Sequence, residues 1–217
     1  MQILMRAGGI AATNCFVVAD EAARQAVMFD APDHTADALL DEVQKRGWDL
    51  IGLWLTHGHF DHIADHAVVK SRSPNAKILI HKLDEPRLHK PNSVLFPLPF
   101  EIPPGEADEL IEDGQKLQIG SIDVEVIHTP GHAPGHVMFH LSKEKVLVGG
   151  DLIIGGAIGR TDLPGADASA LAESVRRVMK LPDETRLLPG HGEPSTLGDE
   201  RRENPYVQMI LQGRGIP

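Results

Sequence analysis

Short apolar runs punctuated by Gly, Pro, Asp and Asn fill the first half of this chain and return in the second. They lie at Gln2–Met5, Cys15–Ala19, Ala26–Phe29, Leu50–Leu55 and Ile78–Ile80, then at Ile122–Ile127, Val137–Leu141, Lys145–Val148 and Arg186–Leu188. Runs of this length between turn residues predict β-strands. Three stretches carry a helical period instead. His34–Arg46 sets Ala38, Leu39, Glu42 and Val43 at helical spacing, and Gly47 is placed to end it. Asp61–Ser71, closed by Pro74, and Asp167–Lys180, with Leu171, Val175, Val178 and Met179 on one stripe, predict two more. Strands with a helix recur in each half. We therefore expect one α/β domain over residues 1–217, made of two similar halves with the sheets packed together and the helices outside. The Pro-rich passage Pro86–Pro104 predicts a long surface loop without regular structure, either a lid or a crossover.

Composition narrows the chemistry. The chain has 21 basic against 31 acidic residues, a net charge of −10, which argues against a nucleic-acid partner. Cys15 is the single cysteine, so an intrachain disulfide and cysteine-rich zinc sites are excluded, and its apolar surroundings predict a core position. Any metal must take His and carboxylate ligands. The N-terminus lacks a charged segment leading into an apolar one, and no apolar run approaches the roughly 18 residues that span a bilayer. The cytoplasm is the expected compartment, with no membrane partner.

The stretch that carries chemistry is Thr56-His57-Gly58-His59-Phe60-Asp61-His62, directly after the run Leu50–Leu55. Two His spaced by one residue project to the same side of an extended segment. Asp61 and His62 then fall where a helix begins, with Asp61 a natural N-cap. This is loop spacing; a helical zinc-protease motif needs His at i and i+4 with Glu beside the first. Three further motifs also follow strand candidates: His128-Thr129-Pro130-Gly131-His132, Gly149-Gly150-Asp151 and Pro189-Gly190-His191-Gly192. Ligands at several strand ends converge on one edge of a sheet, where α/β proteins place their sites. Five imidazoles and two carboxylates suit two borderline divalent ions, zinc first, with iron or manganese also accommodated.

His57, His59, Asp61, His62, His132, Asp151 and His191, in this order and spacing, resemble the metallo-β-lactamase superfamily. The resemblance spans nearly the whole chain and implies a four-layer αβ/βα sandwich with its metal site between the sheet edges. It implies one metal on His57, His59 and His132, a second on Asp61, His62 and His191, and Asp151 as the bridge. Gly159-Arg160-Thr161-Asp162, Glu200-Arg201-Arg202 and Asn204-Pro205 are similar to compact bacterial glyoxalase II-like hydrolases. These imply cleavage of S-lactoylglutathione-like thioesters to a hydroxy acid and glutathione by a metal-activated hydroxide, with Asp61 orienting the nucleophile. The C-terminal helical region with which full-length glyoxalase II grips glutathione is not expected before Pro217, so its contacts do not carry over.

Other residues are read more plainly. Arg160 is a candidate for a substrate carboxylate, against the alternative of a buried ion pair with Asp162. His66, one turn after His62, is a candidate to face the site, against the commoner position behind it or at the surface; His34, His81, His89 and His140 are expected as ordinary residues, and His128 and His136 as neighbours of a ligand. Rival functions are a mononuclear iron persulfide dioxygenase, which would use His57, His132 and Asp151 and lack the role of His191, and an RNA-processing nuclease. β-Lactam hydrolysis is disfavoured because the best-known lactamase branch has Cys where this chain has Asp151.

Overall fold

Eight consecutive buried residues, Thr13–Asp20, show how the chain is layered. A strand buried on both faces must be apolar on both, and its side chains alternate between two compartments. Phe16 and Val18 face a second sheet, whereas Cys15, Val17 and Ala19 face helices. The computed structural model of the protein describes residues 1–92 and 97–216.

The first sheet runs β1 (Gln2–Gly8), β2 (Thr13–Asp20), β3 (Gln25–Phe29), β4 (Asp49–Trp54), β5 (Lys77–His81) and β6 (Glu109–Ile111) in spatial as well as chain order. Its first three strands pair antiparallel and the rest parallel, through α1 (Ala36–Lys45), α2 (Phe60–Ile63), α3 (His66–Arg72) and α4 (Glu85–His89). The second sheet holds β7 (Lys116–Ile119), β8 (Ile122–His128), β9 (Val137–Leu141) and β10 (Val146–Gly150) as an antiparallel meander. A short hairpin of β11 (Ile153–Ile154) and β12 (Ala157–Ile158) follows, and α5 (Ala168–Val178) returns the chain to β13 (Arg186–Pro189), parallel to β10. β14 (Ser195–Thr196) closes that sheet before α6 (Leu197–Glu203) and α7 (Pro205–Leu211).

Phe29, Trp54 and Phe139 meet between the two sheets at ring-centroid distances of 5.2–5.6 Å. Such aromatic pairs add about 0.5–1.5 kcal/mol each beyond area burial. A second cluster joins the first sheet to α1 and α3 through Leu39, Leu40, Val43 and Val69, and a third joins the other sheet to α5 and α7 through Leu171, Val175, Val207 and Ile210. The architecture is therefore the expected αβ/βα sandwich. All nine expected strands form, and Asp167 caps α5 by accepting from the backbone N–H groups of Ser169 (2.8 Å) and Ala170 (3.0 Å). Among the described residues no helix is long and apolar enough to cross a membrane.

Several local expectations are corrected. The stretch Asp61–Ser71 is two helices, because Asp65 is drawn elsewhere. Its carboxylate accepts from the N–H groups of His34, Thr35 and Ala36, supplying the cap that α1 lacks in its own sequence. Ala31 bridges the break, donating to His62 O (2.7 Å) and accepting from Asp65 N–H (2.8 Å). The N-cap of α2 is His59 in extended conformation, not Asp61, whose side chain is thereby released from capping. The Pro86–Pro104 passage opens with the helix α4, since Pro86 in a first turn forfeits no hydrogen bond, and it buries Leu88 and Ile102. Residues 93–96 of that passage lie outside the described residues. On α1 the buried positions are Ala36, Leu39, Leu40 and Val43; Ala38 and Glu42 are half-buried.

Candidate metal centre

Four strand ends build the site: β4 leads to His57–His62, β8 to His132, β10 to Asp151 and β13 to His191. Each of these strands delivers its candidate ligand just past the same edge of the sandwich. Three groups result, in each of which one ligand atom per residue lies within 4.8 Å of the others. They are His57, His59 and His132; His57, His62 and Asp151; and Asp61, His62 and His191. The seven side chains expected from the sequence are thus brought to one place. Asp151 sits between the sets, its carboxylate oxygens 3.3–3.5 Å from ring nitrogens of His62, His132 and His191.

Hydrogen bonds behind the ligands decide which ring nitrogens face inward. The Thr56 hydroxyl donates to Asp30 Oδ2 (2.8 Å), so it accepts from His57 Nδ1 (3.0 Å) and leaves the His57 Nε2 lone pair free. His132 donates from Nδ1 to the Arg160 carbonyl (2.9 Å), which can only accept. His62 donates from Nδ1 to Asp30 Oδ2 (2.8 Å). All three Nε2 atoms therefore face the cavity, and each neutral ring offers it a lone pair. His59 Nδ1 lies 3.0 Å from one and 2.8 Å from another, and a single proton cannot satisfy both contacts. His62 Nε2 and Asp151 Oδ1 are buried without a hydrogen-bond partner. Orphaned buried acceptors are costly, and a cation at their meeting point is the simplest remedy. The donor set fits divalent metals.

The electrostatics differ across the cavity. Burial, reinforced by the neighbouring rings of His62 and His59, holds His57 neutral, and burial with His132 and Arg87 pushes His59 down to about 2. Burial works against charge on His62 too, but Asp151, Asp61 and Asp30 overcome it and raise its pKa well above the ordinary range. Against the same penalty, hydrogen bonds donated to Asp151 and Asp61 hold His191 at about 9. Asp61, though buried, is brought to about 2 by His62 and by hydrogen bonds from His191 and Thr13.

Glycines admit this crowding at two decisive points. A Cβ on Gly190 would lie 2.1 Å from Asp151 Oδ1 and 2.9 Å from His62 Cε1. Gly150, at φ +49°, leaves the space in which His136 Nε2 accepts the N–H of Asp151 (2.9 Å). His136 in turn donates from Nδ1 to Thr129 Oγ1 (2.8 Å), which sets its tautomer.

The Metallo-beta-lactamase superfamily model matches residues 8–191. The chain belongs to that superfamily. This metallo-beta-lactamase superfamily protein is 31% identical to the hydroxyacylglutathione hydrolase GloC of Haemophilus influenzae over 205 residues, 89% of this chain and 92% of that one. In structure it is similar to the BLEG-1 B3 metallo-beta-lactamase (TM-score 0.86, 31% identity, 95% of this chain and 99% of that one). It is also similar to TTHA1623 in a di-iron-bound form (TM-score 0.80, 33% identity, 94% and 99%).

The superfamily member differs from sequence expectation at several residues around the seven clustered side chains. Arg160 is not in a buried ion pair: it holds Asp162 through two bonds of 2.7 Å with both partners exposed, and its carbonyl is what serves the cavity. His66 is buried, its Nδ1 at 2.8 Å from Ile63 O. His128 stacks on His81 at 4.2 Å. Glu200 and Asn204, from the family-like C-terminal motifs, are structural: Glu200 accepts from Ser195 and Asn204, and Asn204 caps α7.

Sequence reading missed Asp30, Asp84, Thr13 and Asn14. Asp30 ends an apolar run just as the ligand motifs do, and that position was the available signal. Asp84 is buried and accepts from the N–H groups of Gly58 and Gly135, both at 2.8 Å, tying two site loops to the start of α4. Thr13 donates to Asp61 Oδ2 (2.7 Å), and Asn14 stitches β2 to Pro189 O and Gly192 O around His191.

Proposed function

We propose that the protein is a binuclear metal-dependent hydrolase of the glyoxalase II type. It cleaves S-lactoylglutathione-like thioesters to a hydroxy acid and glutathione, in the cytoplasm and without nucleic-acid or membrane partners. The observation that carries this reading is the complete second set, Asp61, His62 and His191, beside His57, His59 and His132, with Asp151 between them. A one-iron oxygenase needs only part of this constellation. The relative that carries the name hydroxyacylglutathione hydrolase supports the substrate class.

Two divalent ions, most simply zinc with iron or manganese as alternatives, would be held by these two sets and would supply Lewis acidity and a water acidic near neutral pH. The remaining work belongs to the chain. Asp61, fixed by the Thr13 hydroxyl and 3.4 Å from His191 Nε2, is placed to take a hydrogen bond from the attacking water and orient it. Asp151 keeps the two sets at a constant separation. Gly58 and Gly135, pinned through Asp84, fix the loops that carry His57, His59 and His132. A thiol of pKa about 8.5 departs as thiolate without a proton donor, so no general acid is required at this cavity. The cavity, about 560 Å³, is large enough for a peptide-sized thioester.

The test counts zinc and iron per chain in protein purified without added metal and compares S-lactoylglutathione hydrolysis with oxygen uptake on glutathione persulfide. Thioester cleavage with two metals per chain is expected. Oxygen uptake without cleavage would overturn the hydrolase reading in favour of the dioxygenase.

A further inference from the structure

Three cationic side chains line the cavity: Arg87, Lys90 and Arg160. Arg160 is engaged on both prongs by Asp162, whereas among the described residues neither Arg87 nor Lys90 makes a salt bridge to a carboxylate. Both belong to α4 or its C-cap, the short helix at the start of the Pro-rich passage.

The placement of Arg87 is built in. Asp84, the N-cap of α4, is buried and anchored by the amides of Gly58 and Gly135, so the helix is bolted to the two loops that carry metal ligands. The stem of Arg87 lies across Gly58, between His57 and His59: a Cβ there would meet Arg87 Cβ at 2.9 Å and Cδ at 3.0 Å. Its Nη2 reaches the opposite wall, 3.1 Å from Pro164 O. That bond occupies one of five guanidinium donors. The residue lines the cavity, and its charge is felt at His59. Lys90 adds a second cation at the same rim, exposed and without a carboxylate partner among the described residues. In a chain of net charge −10, such a rim is a local trap for anions.

We propose that Arg87, seconded by Lys90, is the specificity-determining contact that grips an anionic group, a carboxylate first of all, on the thiol half of the substrate. The substrate class is thereby a thioester of a carboxylate-bearing thiol, and a neutral thiol ester of the same acyl group is a poor second. This rests on the thioesterase reading above for its chemistry, although the grip itself can be measured without turnover. Arg87 is suited to the task because a planar fork binds a carboxylate through paired hydrogen bonds. It also reaches the cavity from a mount that shares its anchors with the metal loops. Bound there, the anion would hold the scissile carbonyl at a fixed distance from Asp61 and Asp151.

The experiment uses the metal-loaded full chain and compares kcat/KM for S-lactoylglutathione with that for S-lactoyl-N-acetylcysteamine, which has the same acyl group on a neutral thiol. Arg87→Gln keeps a donor for Pro164 O but removes the charge; it should lower the ratio of the two constants about tenfold, through KM. Arg87→Lys should restore most of the ratio, and Lys90→Gln should lower it about threefold. For the wild type, raising salt from about 0.05 to about 0.5 M should also lower it. A ratio that ignores both Arg87→Gln and salt overturns the proposal. Calorimetry with S-methylglutathione and S-methyl-N-acetylcysteamine separates the grip from the chemistry. If neither thioester is cleaved but S-methylglutathione binds more tightly than the neutral analogue, and loses that preference in Arg87→Gln, the thioesterase reading fails and the grip stands. Equal binding of the two analogues by the wild type sinks the grip.

Discussion

His57, His59 and His132 face the cavity as three imidazoles oriented from behind by neutral acceptors, the Thr56 hydroxyl for one and the Arg160 carbonyl for another. Asp61, His62 and His191 bring a carboxylate of their own, and His62 leans on a second, buried one, Asp30. The two sets stand side by side yet hold charge in opposite ways: burial keeps His57 and His59 uncharged, while the carboxylates around His62 and His191 raise both. A carboxylate behind a ligating imidazole raises its basicity and fixes its tautomer more firmly than a hydroxyl or carbonyl does. The second set therefore depends on its supporting residues to a degree that the first does not. Asp151 lies against rings of both sets, His132 in the first and His62 and His191 in the second.

Removing Asp151 should do the most damage. Asp151→Ala is expected to abolish measurable turnover, about a thousandfold or more, and to empty at least one metal position. Full activity with two metals per chain would break the bridge assignment. Gly190→Ala comes next, because the new Cβ would fall 2.1 Å from Asp151 Oδ1. Displacing a ligand by about 1 Å should cost about a hundredfold in kcat with little change in the melting temperature. A variant with unchanged kcat would mean that the Gly190 turn yields instead.

Asp30→Asn sharpens the contrast between the sets. It should weaken one metal position by about 10- to 100-fold and leave the other nearly as tight, as metal titration of chelated protein would reveal. Equal weakening at both positions would show that Asp30 acts through Thr56 as much as through His62. The smallest effect at neutral pH is expected at His81, away from the ligands. Burial, and then the stacked ring of His128, lower its pKa from 6.5 to about 4 in the folded chain. The unfolded chain binds a proton first, so this contribution is complete above pH 6.5 and is lost as pH falls toward about 4. The slope is at most about 1.4 kcal/mol per pH unit. Urea midpoints at pH 7 and pH 5 should converge in His81→Gln; an unaltered pH dependence would exclude His81 as its source.

Strands and the seven candidate ligands were legible because each rests on a local pattern, and the four-layer sandwich was implied by the resemblance those residues carry. A run of strand length followed within two to five residues by His or Asp marks a sheet edge, and that pattern occurs at His57, His132, Asp151 and His191. The helix break at Ala64–Asp65 was not legible, since Asp65 leaves its own helix to cap α1 some thirty residues away. Neither was α4, whose prolines read as a loop until the first-turn position of Pro86 is known. Arg160 drew attention through its neighbours in a motif; Arg87, with no motif around it, is the arginine that crosses the cavity wall.

By itself the sequence determined the inventory: which segments extend, which coil, and which seven side chains can ligate. Those are properties of neighbours along the chain, set by side-chain period and by turn residues. Only the tertiary structure decided how the inventory is oriented. That Asp30 stands behind His62, that Asn14 clasps the His191 loop and that Asp84 joins two glycines to α4 follow from which strand ends lie side by side. Contacts between residues far apart in the chain leave no periodic trace in it, and so the support of this site became visible only once the two sheets were packed.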